Sequence, residues 1–249
     1  MKIVVVGGTG LIGKQVIAHL TEAGHEAVAA APSTGVDTLT GQGVDEALAG
    51  ADVVVDVSNS PSFADDDVLR FFTMSTRTLL DAEKRAGVGH HVALSIVGAD
   101  RNPDSGYLRA KVAQEELVRD GGVPWTVVRA TQFFEFGPRI ADGATVGGVV
   151  RIPPVAFQPI ASADVARFVA EAAASAPRGG RYDIAGPDRV RFDEFERAVL
   201  ADAGDEREVV ADPAAPYFGA LLEEDSIVPL GDARLGEVTY ADFVARSAA

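Results

Sequence analysis

The chain has 249 residues, of which 47% are hydrophobic, and a chain of this size can bury a full core as one α/β domain. Its formal net charge of −15 disfavours nucleic acid or an anionic membrane as a partner, because both bind clustered lysine and arginine. The absence of cysteine excludes disulfides, thiolate zinc sites and cysteine nucleophiles. The chemistry must therefore come from oxygen and nitrogen groups.

The amino terminus shows no pattern of a targeting segment. Its apolar run, residues 3–6, ends at a glycine turn and is too short for a secretion signal. No apolar stretch reaches the length of a membrane span. We therefore expect a cytoplasmic protein without a membrane partner, a monomer or a homodimer, that acts on a small-molecule substrate.

Strand-length apolar runs alternate with helical patterns over the first half of the chain. This alternation is typical of βαβ units and predicts a Rossmann-type, doubly wound α/β fold around a parallel sheet. The predicted strands cover residues 3–6, 26–30, 36–39, 52–57, 91–95 and 125–129. The predicted helices cover residues 11–23, 44–49, 67–86 and 107–120. The segment 31–35 is too short for a crossover helix and departs from the alternation.

Beyond residue 129 the pattern loosens and predicts a C-terminal substrate lobe. The elements expected there are a helix at 163–174, a strand at 181–184 and a helix at 192–203. The sequence contains no internal repeat or low-complexity linker, so a second independent domain is not expected. We assign residues 1–249 to one domain, with a dinucleotide-binding core at 1–130 and mainly the substrate lobe, with remaining core elements, at 131–249.

The first predicted strand runs into GGTGLIG, which opens a helical pattern. In this context the spaced glycines are typical of a dinucleotide-binding turn, although an ordinary glycine turn between strand and helix is the alternative. Gly7 allows the tight turn, Gly10 lets backbone approach a pyrophosphate, and Gly13 lets helix and strand pack closely. The residues expected to contact the cofactor here are Gly7, Thr9, Gly10, Leu11, Ile12 and Gly13.

The end of the second predicted strand bears on the choice of dinucleotide. NAD sites commonly carry an acidic residue about twenty residues after the glycine turn, but this sequence has Ala30, Ala31 and Pro32 there. No carboxylate would repel a 2′-phosphate, and Ser33 and Thr34 could donate hydrogen bonds to one. We therefore expect NADP(H) as the preferred cofactor. NAD(H) is the alternative, because no arginine is present to bind a 2′-phosphate.

Three residues suggest acid/base chemistry. Tyr107 and Lys111 are four apart in GYLRAKVAQEEL, so both leave one face of a helix about one turn apart. Ser95 ends a predicted strand at the sheet edge where open α/β sheets bind ligands. Each feature also has a structural alternative, because Tyr-x-x-x-Lys pairs arise by chance on exposed helices and a strand-end serine can satisfy backbone groups.

With the glycine turn, these residues resemble the short-chain dehydrogenase/reductase family, and more narrowly its atypical, NmrA-like NAD(P)-binding branch. The stretches DVSNSPSF (56–63), HHVALSIVGAD (90–100) and VVRATQFFEF (127–136) support the resemblance, which covers roughly residues 1–175. It implies that Tyr107 is the general acid/base, that Lys111 favours its phenolate and binds the nicotinamide ribose, and that Ser95 polarises the substrate oxygen. The resemblance also implies that the adenosine side of the cofactor contacts Val57, Ser58 and Asn59. The residues that it implies lie near the nicotinamide are Ala130, Thr131, Gln132 and Phe133.

Two observations bear on the activity. The predicted helix 67–86 contains no asparagine, so the proton-relay residue of many family sites is not evident. The NmrA-like branch includes members that bind the dinucleotide without turnover, but these generally lack the tyrosine/lysine pair. We expect an oxidoreductase that transfers hydride between NADPH and a carbonyl or alcohol of a small organic molecule. The alternatives are a non-catalytic redox-sensing regulator, and an epimerase, dehydratase or quinone reductase on the same core.

Three further features complete the expectations. His90 and His91 lack a third ligand at metal spacing, so no metal site is expected. The phenylalanines 133, 134 and 136 are either core residues or the wall of an apolar pocket. The segment 217–228 is a candidate lid.

Overall fold

The computed structural model describes residues 1–247 and shows regular alternation in the first half of the chain. The strands there are β1 (Lys2–Val6), β2 (Glu26–Ala30), β3 (Val53–Asp56), β4 (His90–Ile96) and β5 (Trp125–Ala130). The helices there are α1 (Leu11–Glu22), α2 (Val44–Leu48), α3 (Asp65–Ala86) and α4 (Gly106–Asp120).

The second half consists of shorter elements. Its strands are β6 (Thr145–Val146), β7 (Val149–Ile152), β8 (Ala156–Phe157), β9 (Gly180–Ala185), β10 (Val190–Arg191), β11 (Val209–Ala211) and β12 (Ala233–Leu235). Its helices are α5 (Gly137–Gly143), α6 (Ser162–Ala173), α7 (Phe192–Asp202) and α8 (Tyr240–Ser247). Within residues 1–247, no helix has the length and hydropathy needed to cross a bilayer.

Seven strands form one parallel sheet in the order β12-β9-β5-β4-β3-β1-β2. Strands β1 and β3 are valine-rich throughout, because helices cover both faces of the sheet. Helices α1 and α6 cover one face through Val16 and Phe168, and α2 and α3 cover the other through Leu48 and Leu79. The structure confirms the predicted Rossmann-type, doubly wound α/β fold.

The strand order reverses at β1, which lies between β2 and β3. Open α/β sheets bind ligands outside the carboxyl ends of the strands at such a point. The glycine turn after β1, the loop after β3 and the ends of β4 and β5 therefore share the ligand-binding edge of this sheet.

The predicted strand at residues 36–39 is wrong. The Asp37 carboxylate accepts hydrogen bonds from the backbone N–H groups of Leu39 at 2.8 Å and Thr40 at 3.3 Å. The N–H of Asp37 donates to the carbonyl of Gln42. These local bonds satisfy the backbone as a turn, so the chain passes to α2 without a strand and β2 stays at the sheet edge.

The region after β5 divides into two parts. Strands β9 and β12 extend the main sheet, and α6 packs against α1. The sheet β11-β7-β6, the pair β10-β8 and helices α5, α7 and α8 form what we call the C-terminal lobe, which encloses its own apolar cluster. The rings of Phe157 and Phe192 stack there at 4.0 Å between centroids. None of the strands of this lobe was predicted, because two to four residues carry too little pattern.

Candidate active site

The glycine turn has the geometry that a pyrophosphate site needs. Gly7 has a φ of +78°, which favours glycine, and the N–H of Gly10 donates to its carbonyl at 2.9 Å. A Cβ on Gly13 would lie 2.3 Å from the Gly7 oxygen, so the helix packs closely only with glycine there. Among the described residues, no side chain caps α1 at Gly10 and no acidic residue lies in its first turn. The amino terminus of α1 is therefore suited to an anion.

The loop after β2 places the two candidate hydroxyls differently. Thr34 ends a 3₁₀ helix (Pro32–Thr34), where its hydroxyl accepts from the N–H of Ala31 and donates to the Ala31 carbonyl, both at 2.9 Å. Ser33 is exposed beside it. The Thr34 hydroxyl therefore already has backbone partners, and Ser33 is the better candidate of the two for a 2′-phosphate.

The loop after β3 is tied to helix α4 through a buried carboxylate. Asp56 is 1% exposed and accepts hydrogen bonds from the N–H of Ser58 at 2.9 Å, its hydroxyl at 2.6 Å and Gln114 Nε2 at 2.9 Å. Sequence reasoning missed Asp56 and Gln114. The signal available was an aspartate at the end of an otherwise apolar strand, where burial requires a partner.

Lys111 is buried on α4, one helical turn after Tyr107. Its ammonium donates to the Leu94 carbonyl at 2.8 Å and to the side-chain oxygen of Gln114, and lies 4.3 Å from the ring centroid of Phe72. Burial lowers the pKa of Lys111 to about 8, although Asp56 and Glu115 oppose this change. Most Lys111 side chains are therefore still cationic at neutral pH.

Tyr107 meets Asn59 at the sheet edge. The phenol donates to Asn59 Oδ1 at 3.2 Å, and the N–H of Ser60 donates to the same oxygen at 2.9 Å, which fixes the orientation of the amide. The rings of Phe63 and Phe218 each lie 5.4 Å from the tyrosine ring. Burial raises the pKa of Tyr107 to about 12 and keeps the phenol protonated, and the hydrogen bond to Asn59 acts in the opposite direction. The lowering of this pKa that was expected from Lys111 is not seen. Asn59, for which the sequence predicts a place on the adenosine side of the cofactor, contacts this phenol.

Ser95 has a different environment from the one its proposed catalytic role requires. Its hydroxyl donates to Glu115 Oε1 at 2.6 Å and is only 3% exposed. Glu115 is paired with Arg129 at 2.7 Å, and Arg129 contacts Asp100 at 3.0 Å. Side chains alternate along a strand, so Ser95 of β4 points to helix α4 while Leu94 points to the α1/α6 face. The structure brings Tyr107 and Asn59 into contact. It bonds the ammonium of Lys111, one helical turn from Tyr107, to Leu94 and Gln114, and it places the Ser95 hydroxyl in this buried ion-pair network.

The segment after β5 carries polar atoms without partners. Thr131 Oγ1 and Gln132 Oε1 are buried and have no hydrogen-bond partner within residues 1–247. Ala130 ends the strand, and the ring of Phe133 stacks on Phe136 at 5.2 Å. Unpaired polar atoms beside an aromatic surface fit a flat, amide-bearing ring such as nicotinamide.

The remaining candidates are mainly structural. Phe134 packs in the lobe cluster, whereas Phe136 is 39% exposed. His90 contacts Thr126 and His91 contacts Glu83, and residues 1–247 contain no group of three or more potential metal ligands. In the candidate lid 217–228, Phe218 has a φ of +46°, a conformation that non-glycine residues rarely adopt, and covers Tyr107.

Comparisons with known proteins agree with this geometry. A family model described as NAD(P)H-binding matches residues 7–176. The (4-alkanoyl-5-oxo-2,5-dihydrofuran-3-yl)methyl phosphate reductase of Streptomyces griseus is 32% identical over 206 residues, which cover 76% of this chain and 69% of that protein. The photosystem II assembly factor Ycf39 of Cyanophora paradoxa is 24% identical over 187 residues, which cover 68% of this chain and 58% of that protein. The structure of MoeE5 in complex with UDP-glucose and NAD has a TM-score of 0.74 at 18% identity, with all of both chains covered.

Proposed function

Because the chain belongs to the NAD(P)H-binding family of atypical, NmrA-like short-chain dehydrogenase/reductase proteins, we propose that it is an NADPH-dependent reductase, or the reverse dehydrogenase, of small carbonyl compounds or alcohols. One observation carries this proposal: a protonated phenol, Tyr107, lies one helical turn from a buried ammonium, Lys111, at the ligand-binding edge. The S. griseus relative is named as a reductase, which supports the reductive direction.

The residues at this edge fit the dinucleotide. The amino terminus of α1 would bind the pyrophosphate, and Val57 to Asn59 would flank the adenosine side. The unpaired side-chain oxygens of Thr131 and Gln132 would form hydrogen bonds with the nicotinamide carboxamide. Lys111 would bind the nicotinamide ribose. Ser33 would donate to a 2′-phosphate. The bound cofactor supplies the hydride.

The protein's own residues supply the proton. During reduction the carbonyl carbon gains hydride, its oxygen takes the proton of Tyr107, and the resulting phenolate lies near the cationic Lys111. The raised pKa of Tyr107 keeps this proton in place until the carbonyl oxygen becomes basic. Asn59 accepts from the phenol and so orients it. Ser95 would act indirectly, because its bond to Glu115 helps hold α4 against β4.

One observation favours a second candidate function. The Ser95 hydroxyl is bonded to Glu115, and the ammonium of Lys111 is bonded to Leu94 and Gln114, so both groups have internal partners. A protein that binds the dinucleotide without turnover, and acts through another macromolecule, would show the same arrangement. The Ycf39 relative is named as an assembly factor.

Deuterium transfer distinguishes these functions. The protein is incubated with NADPH deuterated at the nicotinamide C4 and a panel of aldehydes, ketones and enones, and the products are analysed by mass spectrometry. Quinones are assayed separately by NADPH oxidation, because deuterium delivered to a quinone exchanges with water. The proposal predicts one deuterium on the reduced carbon of at least one product. NADPH deuterated on either face of the nicotinamide C4 is tested, because hydride leaves from only one face. Tyr182→Phe, which alters a half-buried phenol on β9, is the control and keeps the transfer. Tight NADPH binding without any label transfer would favour the non-catalytic function, and an isomerised or dehydrated product without label would favour the epimerase or dehydratase alternatives.

A further inference from the structure

An unpaired carboxyl lies in the interior of the C-terminal lobe. Glu196 is on the inner face of α7, its exposed fraction is 0%, and within residues 1–247 neither of its carboxyl oxygens has a hydrogen-bond partner. Other buried acids are bonded, as Asp56 is to Ser58 and Glu115 is to Arg129. A buried polar group without a partner destabilises the fold, so this carboxyl has no stabilising role in the protein alone.

The surroundings connect Glu196 to the candidate active site. One helical turn before it on α7, Phe192 packs edge-on against Tyr217 at 5.5 Å. The Tyr217 ring lies 4.8 Å from Phe218, which in turn lies 5.4 Å from Tyr107. Burial raises the pKa of Tyr217, and the charges of Tyr107 and Glu196 raise it further, so the Tyr217 phenol is within electrostatic range of both groups. A row of aromatic rings thus leads from Tyr107 towards the unpaired carboxyl.

The charge state of the carboxyl indicates what it can bind. Burial raises the pKa of Glu196 to about 8, so the group is mostly a neutral acid at pH 7. Burial and the charge of Glu196 contribute to the raised pKa values of Tyr217 and Tyr240, and Asp202 also raises the pKa of Tyr240. None of these groups is a cation. A neutral acid offers one donor and one acceptor, which suits an uncharged oxygen, whereas a carboxylate or phosphate would be buried there without a counter-charge.

We propose that Glu196, with Tyr217, forms a second polar anchor that binds an uncharged hydroxyl or carbonyl group of the substrate, remote from the carbon that reacts beside Tyr107. The inference rests on the proposed function, and it identifies the substrate class as a bifunctional, uncharged molecule with an aromatic or otherwise apolar body. The aromatic side chains between the two sites would contact that body.

Matched probes test this anchor without requiring turnover. We would measure by calorimetry the binding of 1,4-benzenedimethanol, 4-methylbenzyl alcohol and 4-(hydroxymethyl)benzoate to the protein saturated with NADP⁺. The wild-type protein should bind the diol about tenfold more tightly than the methyl compound, because only the diol can place one hydroxyl beside Tyr107 and another at the Glu196 carboxyl. The benzoate should bind most weakly, because one of its ends is a carboxylate.

Variants assign the preference to Glu196. In Glu196→Leu the diol/methyl affinity ratio should fall to about one, and in Glu196→Gln, which keeps a donor and an acceptor, most of the ratio should remain. Glu194→Gln, on the exposed side of the same helix, is the matched control and should keep the wild-type ratio. The melting temperature of Glu196→Leu should rise, because an unpaired buried polar group is removed, and this separates lost preference from lost folding.

The outcomes separate this inference from the proposed function. A ratio that is equal in the wild type and Glu196→Leu, a benzoate that binds as tightly as the diol, or absence of binding by any probe would overturn the anchor. The matching aldehydes are assayed in parallel for NADPH oxidation. Turnover without a diol preference contradicts the anchor and keeps the reductase, whereas a Glu196-dependent preference without turnover supports the anchor and counts against the reductase.

Discussion

At the scale of single residues, Gly10 and Gly13 of the glycine turn differ in what surrounds them. The Cβ of a residue at position 10 would have only the Gly7 oxygen nearby, at 3.2 Å, and would otherwise extend into the space predicted for the pyrophosphate. The Cβ of a residue at position 13 would meet backbone atoms of the turn at 2.3 to 2.9 Å. We therefore expect substitution of Gly10 to affect dinucleotide binding and substitution of Gly13 to affect packing.

We predict that Gly10→Val folds and loses dinucleotide binding, whereas Gly13→Val loses stability. Circular dichroism and thermal melting should leave Gly10→Val near the wild type, and fluorescence titration should show at least about a tenfold weaker affinity for NADPH. Gly13→Val should melt at a clearly lower temperature, because the added side chain overlaps the Gly7 carbonyl. A Gly10→Val protein with unchanged NADPH affinity would place the phosphate site elsewhere.

The exposed Ser33 is the residue that we expect to set the cofactor preference. The wild-type protein should bind NADPH more tightly than NADH. Ser33→Asp should weaken NADPH binding by about tenfold or more, because a carboxylate would repel the 2′-phosphate, and should preserve or strengthen NADH binding. Fluorescence titrations with both cofactors give the ratio, and Ser33→Ala is the control that removes the hydroxyl without adding charge. A wild-type protein that prefers NADH, or a Ser33→Asp variant with an unchanged ratio, would contradict the assignment.

At the scale of elements, helix α3 is joined to strand β4 by a buried ion pair. His91 Nδ1 lies 2.7 Å from Glu83 Oε1, and both side chains are fully buried. Burial, the largest influence, lowers the pKa of His91, but the charge and hydrogen bond of Glu83, with a smaller effect of Asp56, reverse this, so the net pKa lies above 6.5. The stability that the pair contributes is therefore present below the unfolded pKa and is lost as the pH rises through the folded pKa.

We predict that His91→Gln destabilises the protein by about 3–5 kcal/mol at acidic pH, because it leaves a buried carboxylate without its partner. The difference in unfolding free energy between the wild type and this variant should shrink as the pH rises above about 6.5 and through the raised pKa of His91. Urea unfolding at several pH values measures it, with Lys84→Gln as an exposed control on the same helix. A difference that grows with pH would show that the histidine is neutral in the folded protein.

Sequence patterns predicted the elements that are long or strongly periodic, and missed those that depend on tertiary contacts. Helices α3 and α4 and the buried valine strands were predicted within a few residues, because their apolar spacing is determined by helices packed on a sheet. The turn at Asp37 was missed because one side-chain hydrogen bond decided between strand and turn. The Tyr107/Lys111 pair was predicted from spacing, but the contact between Tyr107 and Asn59 joins residues 48 apart and has no local pattern.

At the scale of the whole molecule, a buried ion-pair network joins the helix that carries the tyrosine to the main sheet. Arg129 of β5 binds Glu115 of α4 through two hydrogen bonds and also binds Asp100, and the three side chains are buried or partly buried. Breaking one member of such a network leaves an unpaired buried charge. The network therefore positions α4, and with it Tyr107 and Lys111, relative to the carboxyl edge where the nicotinamide site is proposed.

In the proposed function, Tyr107 donates the proton, and Lys111 stabilises the phenolate and binds the nicotinamide ribose. The most direct test compares Tyr107→Phe with Lys111→Met for NADPH affinity and for single-turnover rate with a substrate of the wild-type protein. We predict that Tyr107→Phe keeps wild-type NADPH affinity and loses about a hundredfold to ten-thousandfold in rate, whereas Lys111→Met loses both affinity and rate. A Tyr107→Phe variant that reduces the substrate at the wild-type rate would contradict the account, because the proton would then come from another group.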